Sequence, residues 1–332
     1  MKRWFLLILT GLLFSSILLG QDVQLWPEIQ PFKTGRLKVS DLHELYYELC
    51  GNPDGKPVFV LHGGPGGSCS PYMRRFFNPE TFLIVLHDQR GAGRSTPFAE
   101  IRENTTRHLI ADIEQLRKKL DLDQIILFGG SWGSTLALAY GETYPERVSG
   151  MILRGIFTAT RQEIDHFYHG GVKLFFPGVY NEFIIKTGNT SGKDMPAYLL
   201  EKIQQGDSLE KQRYSRIWAE YELLISSLEL PVQELERIMQ DFNPLAFGLL
   251  ENYYMAHQCF LREGELLEGA HKLDMPIFLV NGRYDMICPP VNAWRLHERL
   301  PNSKLIIAEQ SGHWMGEDNI ELELLKASQT FE

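Results

Sequence analysis

Short apolar runs that end in Gly, His, Asp or Asn recur along this chain. They are "PVFVLHGG" (57–64), "FLIVLHD" (82–88), "QIILFGG" (124–130), "VSGMILRG" (148–155), "PIFLVNG" (276–282) and "KLIIAE" (304–309). A strand with one wet face alternates apolar and polar residues, whereas a run apolar at every position is covered on both faces, as in a parallel sheet. Between the runs, "NTTRHLIADIEQLRKKL" (104–120) has helical spacing and an Asn/Thr start suited to capping, and residues 133–144 read as another helix. Upstream, "LKVSDLHELYYELCGNPDGK" (37–56) reads as one or two antiparallel strands closed by the turn "NPDG". The pattern predicts an α/β fold with a mostly parallel sheet.

This rhythm breaks between about 157 and 270, where helix-like pieces such as "LEKQRYSRIWAEYELLISSL" and "PVQELERIMQDF" replace the strands. The simplest organisation is a core of residues 21–156 and 271–332. A helical cap, 157–270, is inserted after the sixth main strand. Such insertions form lids over the carboxyl ends of the strands, where α/β folds bind ligands.

Composition narrows the partners. With 33 basic against 42 acidic residues the net charge is -9, which argues against a nucleic-acid partner, since that would need a basic patch. At the N-terminus, Lys2 and Arg3 precede an uncharged apolar stretch (4–19) and Gly20. This is the layout of a secretory signal peptide, and it is shorter than the ~20 residues of a spanning helix. Residues 1–20 are therefore expected to direct export, to the periplasm or beyond. The alternative is an uncleaved membrane anchor, because Leu18 suits a cleavage site poorly. Cys50, Cys69, Cys259 and Cys288 could form two disulfides in an exported protein, but buried thiols are the preferred reading for a core of this size.

One stretch carries chemistry outright. Gly129-Gly130-Ser131-Trp132-Gly133 satisfies G-x-S-x-G and lies directly between a strand and a helix. In that context the serine sits on a turn sharp enough to strain its backbone, and small neighbours avoid clashes. Ser131 is thus the candidate nucleophile, while Ser134 lies in the helix with its hydroxyl free to bond a backbone carbonyl. A serine hydroxyl needs a base held by a carboxylate, and in this context the chain order is Ser, acid, His. His313 follows the strand "KLIIAE" in a loop, and Asp285 follows "PIFLVNG" in the same way. His297 reads as a helix surface residue, and Asp274 falls at the wrong end of its strand. The oxyanion is expected to rest on the backbone N–H groups of Trp132 and of Gly64, in the glycine loop after the first long run. No H-E-x-x-H or comparable cluster appears, so neither metal nor cofactor is expected.

"HGGPGG" (62–67), "DQRGAGRS" (88–95), "GGSWGSTLALAY" (129–140) and "GRYDMICPP" (282–290) occur in order at fitting spacings. Together they closely resemble the prolyl iminopeptidases, α/β-hydrolase serine peptidases that release N-terminal proline. The resemblance runs from about Val39 to His313 and implies Ser131, Asp285 and His313 as a triad. Ala92 stands where the family usually has Cys. Family members also carry Cys at the positions of Cys69 and Cys288, which supports free thiols. The family's substrate-binding glutamates lie in the cap, and their motifs are matched in altered form. "WAEYE" (218–222) has Tyr221 in place of the second Trp and points to Glu222. "ENYYM" (251–255), with Tyr253 and Met255 in place of His and Phe, points to Glu251.

The resemblance implies short peptides with N-terminal proline as substrates. No stable membrane partner is expected unless the N-terminal segment is retained. Two rival readings are an esterase or amidase with altered pocket preference, and a catalytically silent binding module.

Overall fold

The computed structural model describes residues 23–189, 192–241 and 243–332. The expected signal segment, 1–20, lies outside the described residues. Among those described, no helix is long and apolar enough to cross a membrane.

The core is an eight-stranded sheet in the order β1-β2-β4-β3-β5-β6-β7-β8. Its strands are β1 (Lys33–Lys38), β2 (Glu44–Gly51), β3 (Lys56–Leu61), β4 (Phe82–His87), β5 (Ile125–Ser131), β6 (Val148–Ile156), β7 (Ile277–Gly282) and β8 (Ser303–Ala308). From β4 to β8 all neighbours run parallel, whereas β1 and β2 are antiparallel to their neighbours.

The uninterrupted apolar runs have the expected cause. Phe59, Val85 and Leu127 pack into one buried cluster, whereas their chain neighbours Val58, Ile84 and Ile126 pack into a second. Alternate side chains leave a strand on opposite faces, so both faces of the central strands are dry. The turn at 52–55 behaves differently from the expectation. It leads from β2 into β3, but β2 pairs with β4, which lies between them in the sheet.

The helices α1 (Pro71–Arg74), α2 (Thr106–Lys119) and α3 (Trp132–Thr143) belong to the first half of the core. Helix α2 buries Leu109, Ile110, Ile113 and Leu116, one stripe at helical spacing. Its expected cap does not form. Thr105 makes no side-chain cap hydrogen bond; its hydroxyl pairs with His108 Nδ1. The Asn104 amide instead donates to the carbonyls of Arg90 and Glu100, so tertiary packing claims the polar groups that local pattern assigned to the helix end.

Between β6 and β7 the described chain forms no strand. It builds α4 (Arg161–Asp165), α5 (Pro177–Thr187), α6 (Met195–Gln205), α7 (Ser208–Ser226), α8 (Val232–Asp241), α9 (Pro244–Ala256) and α10 (Glu265–Gly269), joined by short irregular turns. Helix α7 is started by a reciprocal capping box between Asp207 and Glu210. It buries Tyr214, Ile217, Trp218, Tyr221 and Ile225. An aromatic cluster grows from that stripe: Tyr168 stacks on Trp218 at 4.4 Å and Phe183 on Tyr221 at 4.2 Å. The chain closes with α11 (Pro290–His297) and α12 (Asp318–Gln329). All four cysteines are buried free thiols, as preferred from the sequence.

Candidate active site

Ser131 ends β5 and immediately precedes α3, with φ 56° and ψ -126°. Positive φ is costly for a residue with a Cβ, and the sharp reversal it produces lifts the side chain out of the sheet. The turn closes only because Gly133 has no side chain, since a Cβ there would run into the Leu61 carbonyl. Ser134 is fully buried in α3, its hydroxyl donating to the Ser131 carbonyl at 2.7 Å and accepting from the Phe157 N–H at 3.2 Å. That is a fixed structural role.

Two later strand ends bring up the residues expected to serve as acid and base. Asp285 is completely buried. Its Oδ1 accepts from the N–H groups of Ile287 at 3.0 Å and Cys288 at 2.7 Å, which leaves Oδ2 for His313 Nδ1 at 2.7 Å. The bond fixes the imidazole with Nδ1 as donor and Nε2 free to accept a proton. Burial holds the His313 pKa below its ordinary value, opposed by the Asp285 charge, so the neutral, basic form prevails near pH 7. The imidazole fits because residue 155 is glycine. With φ 54°, a Cβ there would stand 2.8 Å from His313 Cε1 and 3.3 Å from Asp285 Oδ2.

Ser131 and His313 line one cavity of about 320 Å³. Gly63, Gly64, Arg154, Glu222, Phe247 and Trp314 line it as well. The Trp132 N–H is the first of the unpaired donors at the start of α3, where a helix favours negative charge. The Trp132 side chain is buried and locked: its Nε1 donates to Gln89 Oε1 at 2.8 Å, Gln89 Nε2 donates to the His62 carbonyl at 2.9 Å, and the Gln89 N–H donates to His62 Nε2 at 2.9 Å. Three of the four motifs, those of His62, Gln89 and Trp132, are thereby tied into one network. In the sequence, Gln89 and His62 stand out only as parts of motifs.

The two cap glutamates come together although they stand on different helices, α7 and α9. Glu222 lines the cavity; its Oε2 is buried and without a hydrogen-bond partner. Glu251 is buried beside it, and its Oε2 accepts from Trp218 Nε1 at 2.8 Å. Burial raises the pKa of both carboxyls, and the Glu222 charge raises that of Glu251 further. One proton shared between them, held on Glu251, satisfies this arrangement. The altered motif positions turn out to serve packing. The Tyr253 ring lies against His257 and Phe260 at 4.9 and 5.1 Å, Met255 Sδ contacts Cys259 Sγ, and the Tyr221 hydroxyl donates to the Phe167 carbonyl.

An elbow serine, a carboxylate-bound histidine and a glycine loop on one mostly parallel sheet define the class as α/β hydrolase. Residues 56–320 match that family, described as the alpha/beta hydrolase fold. The chain is 43% identical to the proline iminopeptidase of Arabidopsis thaliana, covering 92% of this chain and 81% of that protein. It is 41% identical to a probable proline iminopeptidase of Leptolyngbya boryana, covering 93% and 97%. Against the proline iminopeptidase of Xylella fastidiosa it is 43% identical, covering 87% and 93%. Among solved structures, a proline iminopeptidase-related protein of Thermus thermophilus aligns with a TM-score of 0.62 at 20% identity, covering 91% of this chain and 98% of that one. That distant likeness concerns the fold. The chain belongs to the proline iminopeptidase family of α/β hydrolases.

Proposed function

We propose that this protein is a serine exopeptidase that releases N-terminal proline from peptides through an acyl-enzyme. The observation that carries the substrate side is the Glu222–Glu251 pair. A buried carboxylate with an unpaired oxygen in the cavity that holds Ser131 is costly unless a cation meets it. The secondary ammonium of an N-terminal proline supplies that cation. The names of the relatives point to the same substrate.

In the proposed reaction, Ser131 Oγ attacks the carbonyl carbon of the N-terminal residue as His313 Nε2 takes its proton. Asp285 steadies the imidazolium through Nδ1, and the N–H groups of Gly64 and Trp132 receive the oxyanion. The C–N bond then breaks, the leaving amine taking the proton back from Nε2. Water, deprotonated by the same nitrogen, releases proline and restores Ser131.

A panel of naphthylamides tests this reading. Prolyl-naphthylamide should be turned over in preference to alanyl-naphthylamide, and N-acetylprolyl-naphthylamide, which lacks the cation, should be inert. Rapid hydrolysis of short acyl esters with no proline release would identify an esterase instead. Export through residues 1–20 is part of the proposal and rests on their sequence; an exported protein that still begins at Met1 would remove the cleavage step.

A further inference from the structure

The loop that carries His313 is held from outside the triad. The carbonyl of Ser226, the last residue of α7, accepts from the N–H groups of His313 at 2.7 Å and Trp314 at 2.9 Å. On the other side, Arg154 Nη1 donates to the His313 carbonyl at 2.6 Å. Glu317 completes the arrangement. One carboxylate oxygen accepts from the Leu228 N–H at 3.0 Å, in the segment that follows α7, and the other accepts from the N–H of Gly312, the residue before His313.

Glu317 occupies the N-cap position of α12 yet makes no side-chain bond to that helix. A carboxylate at an N-cap ordinarily accepts from the first turn of its own helix. Here it turns away to join two other segments. One belongs to the cap and the other to the catalytic loop. The same helix α7 carries Glu222, about one turn before Ser226.

We propose that Glu317 is a positioning residue for His313. Its carboxylate staples the histidine loop to the end of α7, so the helix that presents Glu222 to the substrate also fixes the base that activates Ser131. The link to substrate rests on the peptidase reading above, while the staple itself does not.

The test uses the full chain, its Glu317→Ala and Glu317→Gln variants, and two readouts. One is the rate at which a fluorophosphonate labels Ser131, which needs His313 but no proline. The other is kcat and KM for prolyl-naphthylamide. Because small misplacements of a catalytic group are expensive, Glu317→Ala should slow labelling and lower kcat by about 10- to 100-fold, with KM changed by less than about 3-fold. Glu317→Gln keeps one acceptor oxygen and should recover part of the labelling rate. Parental labelling in Glu317→Ala overturns the proposal, as does an effect confined to KM. Should the alanine variant fail to fold, the glutamine variant decides: slowed labelling supports the staple and a parental rate overturns it. Absence of proline release from the parent, with labelling still sensitive to Glu317, would remove the peptidase reading alone.

Discussion

Trp218 donates its indole N–H to Glu251 at 2.8 Å, which occupies one carboxyl oxygen of Glu251 and leaves Glu222 as the carboxylate facing the cavity. The two glutamates are therefore expected to respond differently to amide replacement. Glu222→Gln removes the negative charge that, in the proposed reading, meets the substrate's ammonium. A charge-assisted hydrogen bond contributes about 1.5–3 kcal/mol, so kcat/KM for prolyl-naphthylamide should fall by about 10- to 100-fold. Hydrolysis of an ester that lacks an amine should change little. Glutamine at 251 can still accept from Trp218 and can donate to Glu222 as the protonated acid does. Glu251→Gln should keep kcat/KM within about 3-fold of the parent; a loss equal to that of Glu222→Gln would show that Glu251 carries the charge itself.

The pH dependence should depend on the substrate. Burial lowers the His313 pKa, and the base is active above that pKa. With an ester, the acid limb should therefore have its midpoint below the ordinary histidine value of about 6.5. Burial raises the pKa of Glu222, and ionisation is lost as pH falls through the raised value. If Glu222 binds the prolyl ammonium as proposed, that substrate needs the ionised form, and its acid limb should begin at a higher pH than the limb for the ester. Coincident acid limbs in kcat/KM profiles would remove Glu222 from substrate binding.

The two serines of the elbow should separate cleanly. Ser131→Ala should abolish fluorophosphonate labelling and lower kcat by about 10⁴-fold or more. Ser134→Ala removes one hydroxyl that both donates to the Ser131 carbonyl and accepts from the Phe157 N–H. It should leave labelling intact while lowering stability by about 1–3 kcal/mol, because a buried N–H loses its partner. Denaturant unfolding and labelling together distinguish the two.

These positions also show what a sequence can carry. Ser131, Asp285 and His313 are visible because each sits at a strand end, where the apolar run stops and a loop begins, and the elbow demands glycines at fixed offsets. Glu222 and Glu251 can be located only by resemblance, since their meeting depends on how α7 packs against α9. Ser226 leaves no signature at all, because it holds the His313 loop through its backbone carbonyl. Arg154 and Gly155 are absorbed into the end of an apolar run, "MILRG", and Glu317 looks like an ordinary exposed acid before a helix. The turn at 52–55 is legible as a turn, but the insertion of β4 between β2 and β3 is a long-range pairing that local pattern does not encode.

Gly155 offers a steric test of the triad. With its φ of 54°, a methyl added there would stand 2.8 Å from His313 Cε1, so Gly155→Ala must push the imidazole or bend β6. A displacement of about 1 Å at a catalytic group costs on the order of 100-fold in rate. The variant should label slowly with fluorophosphonate while keeping its far-ultraviolet circular dichroism. Parental labelling would contradict the close packing of His313 against β6.

A last expectation concerns stability away from the site. Glu142 lies in a second cavity, of about 590 Å³, between α3 and α10; its Oε1 is buried without a partner. Burial pushes its pKa up to about 8, with Lys272 pulling the other way. The native state therefore keeps a proton that the unfolded chain, with an ordinary glutamate pKa of about 4.3, has already released. The sign follows directly. Between that value and about 8, native protein binds more protons than unfolded protein, so this residue lowers stability as pH rises through the window. Glu142→Gln carries no charge at any pH and removes the effect. The difference in Tm, variant minus parent, should thus be larger at pH 8 than at pH 5, by about 2 °C or more. A difference that is flat with pH would mean that the Glu142 carboxylate is solvated in the native protein.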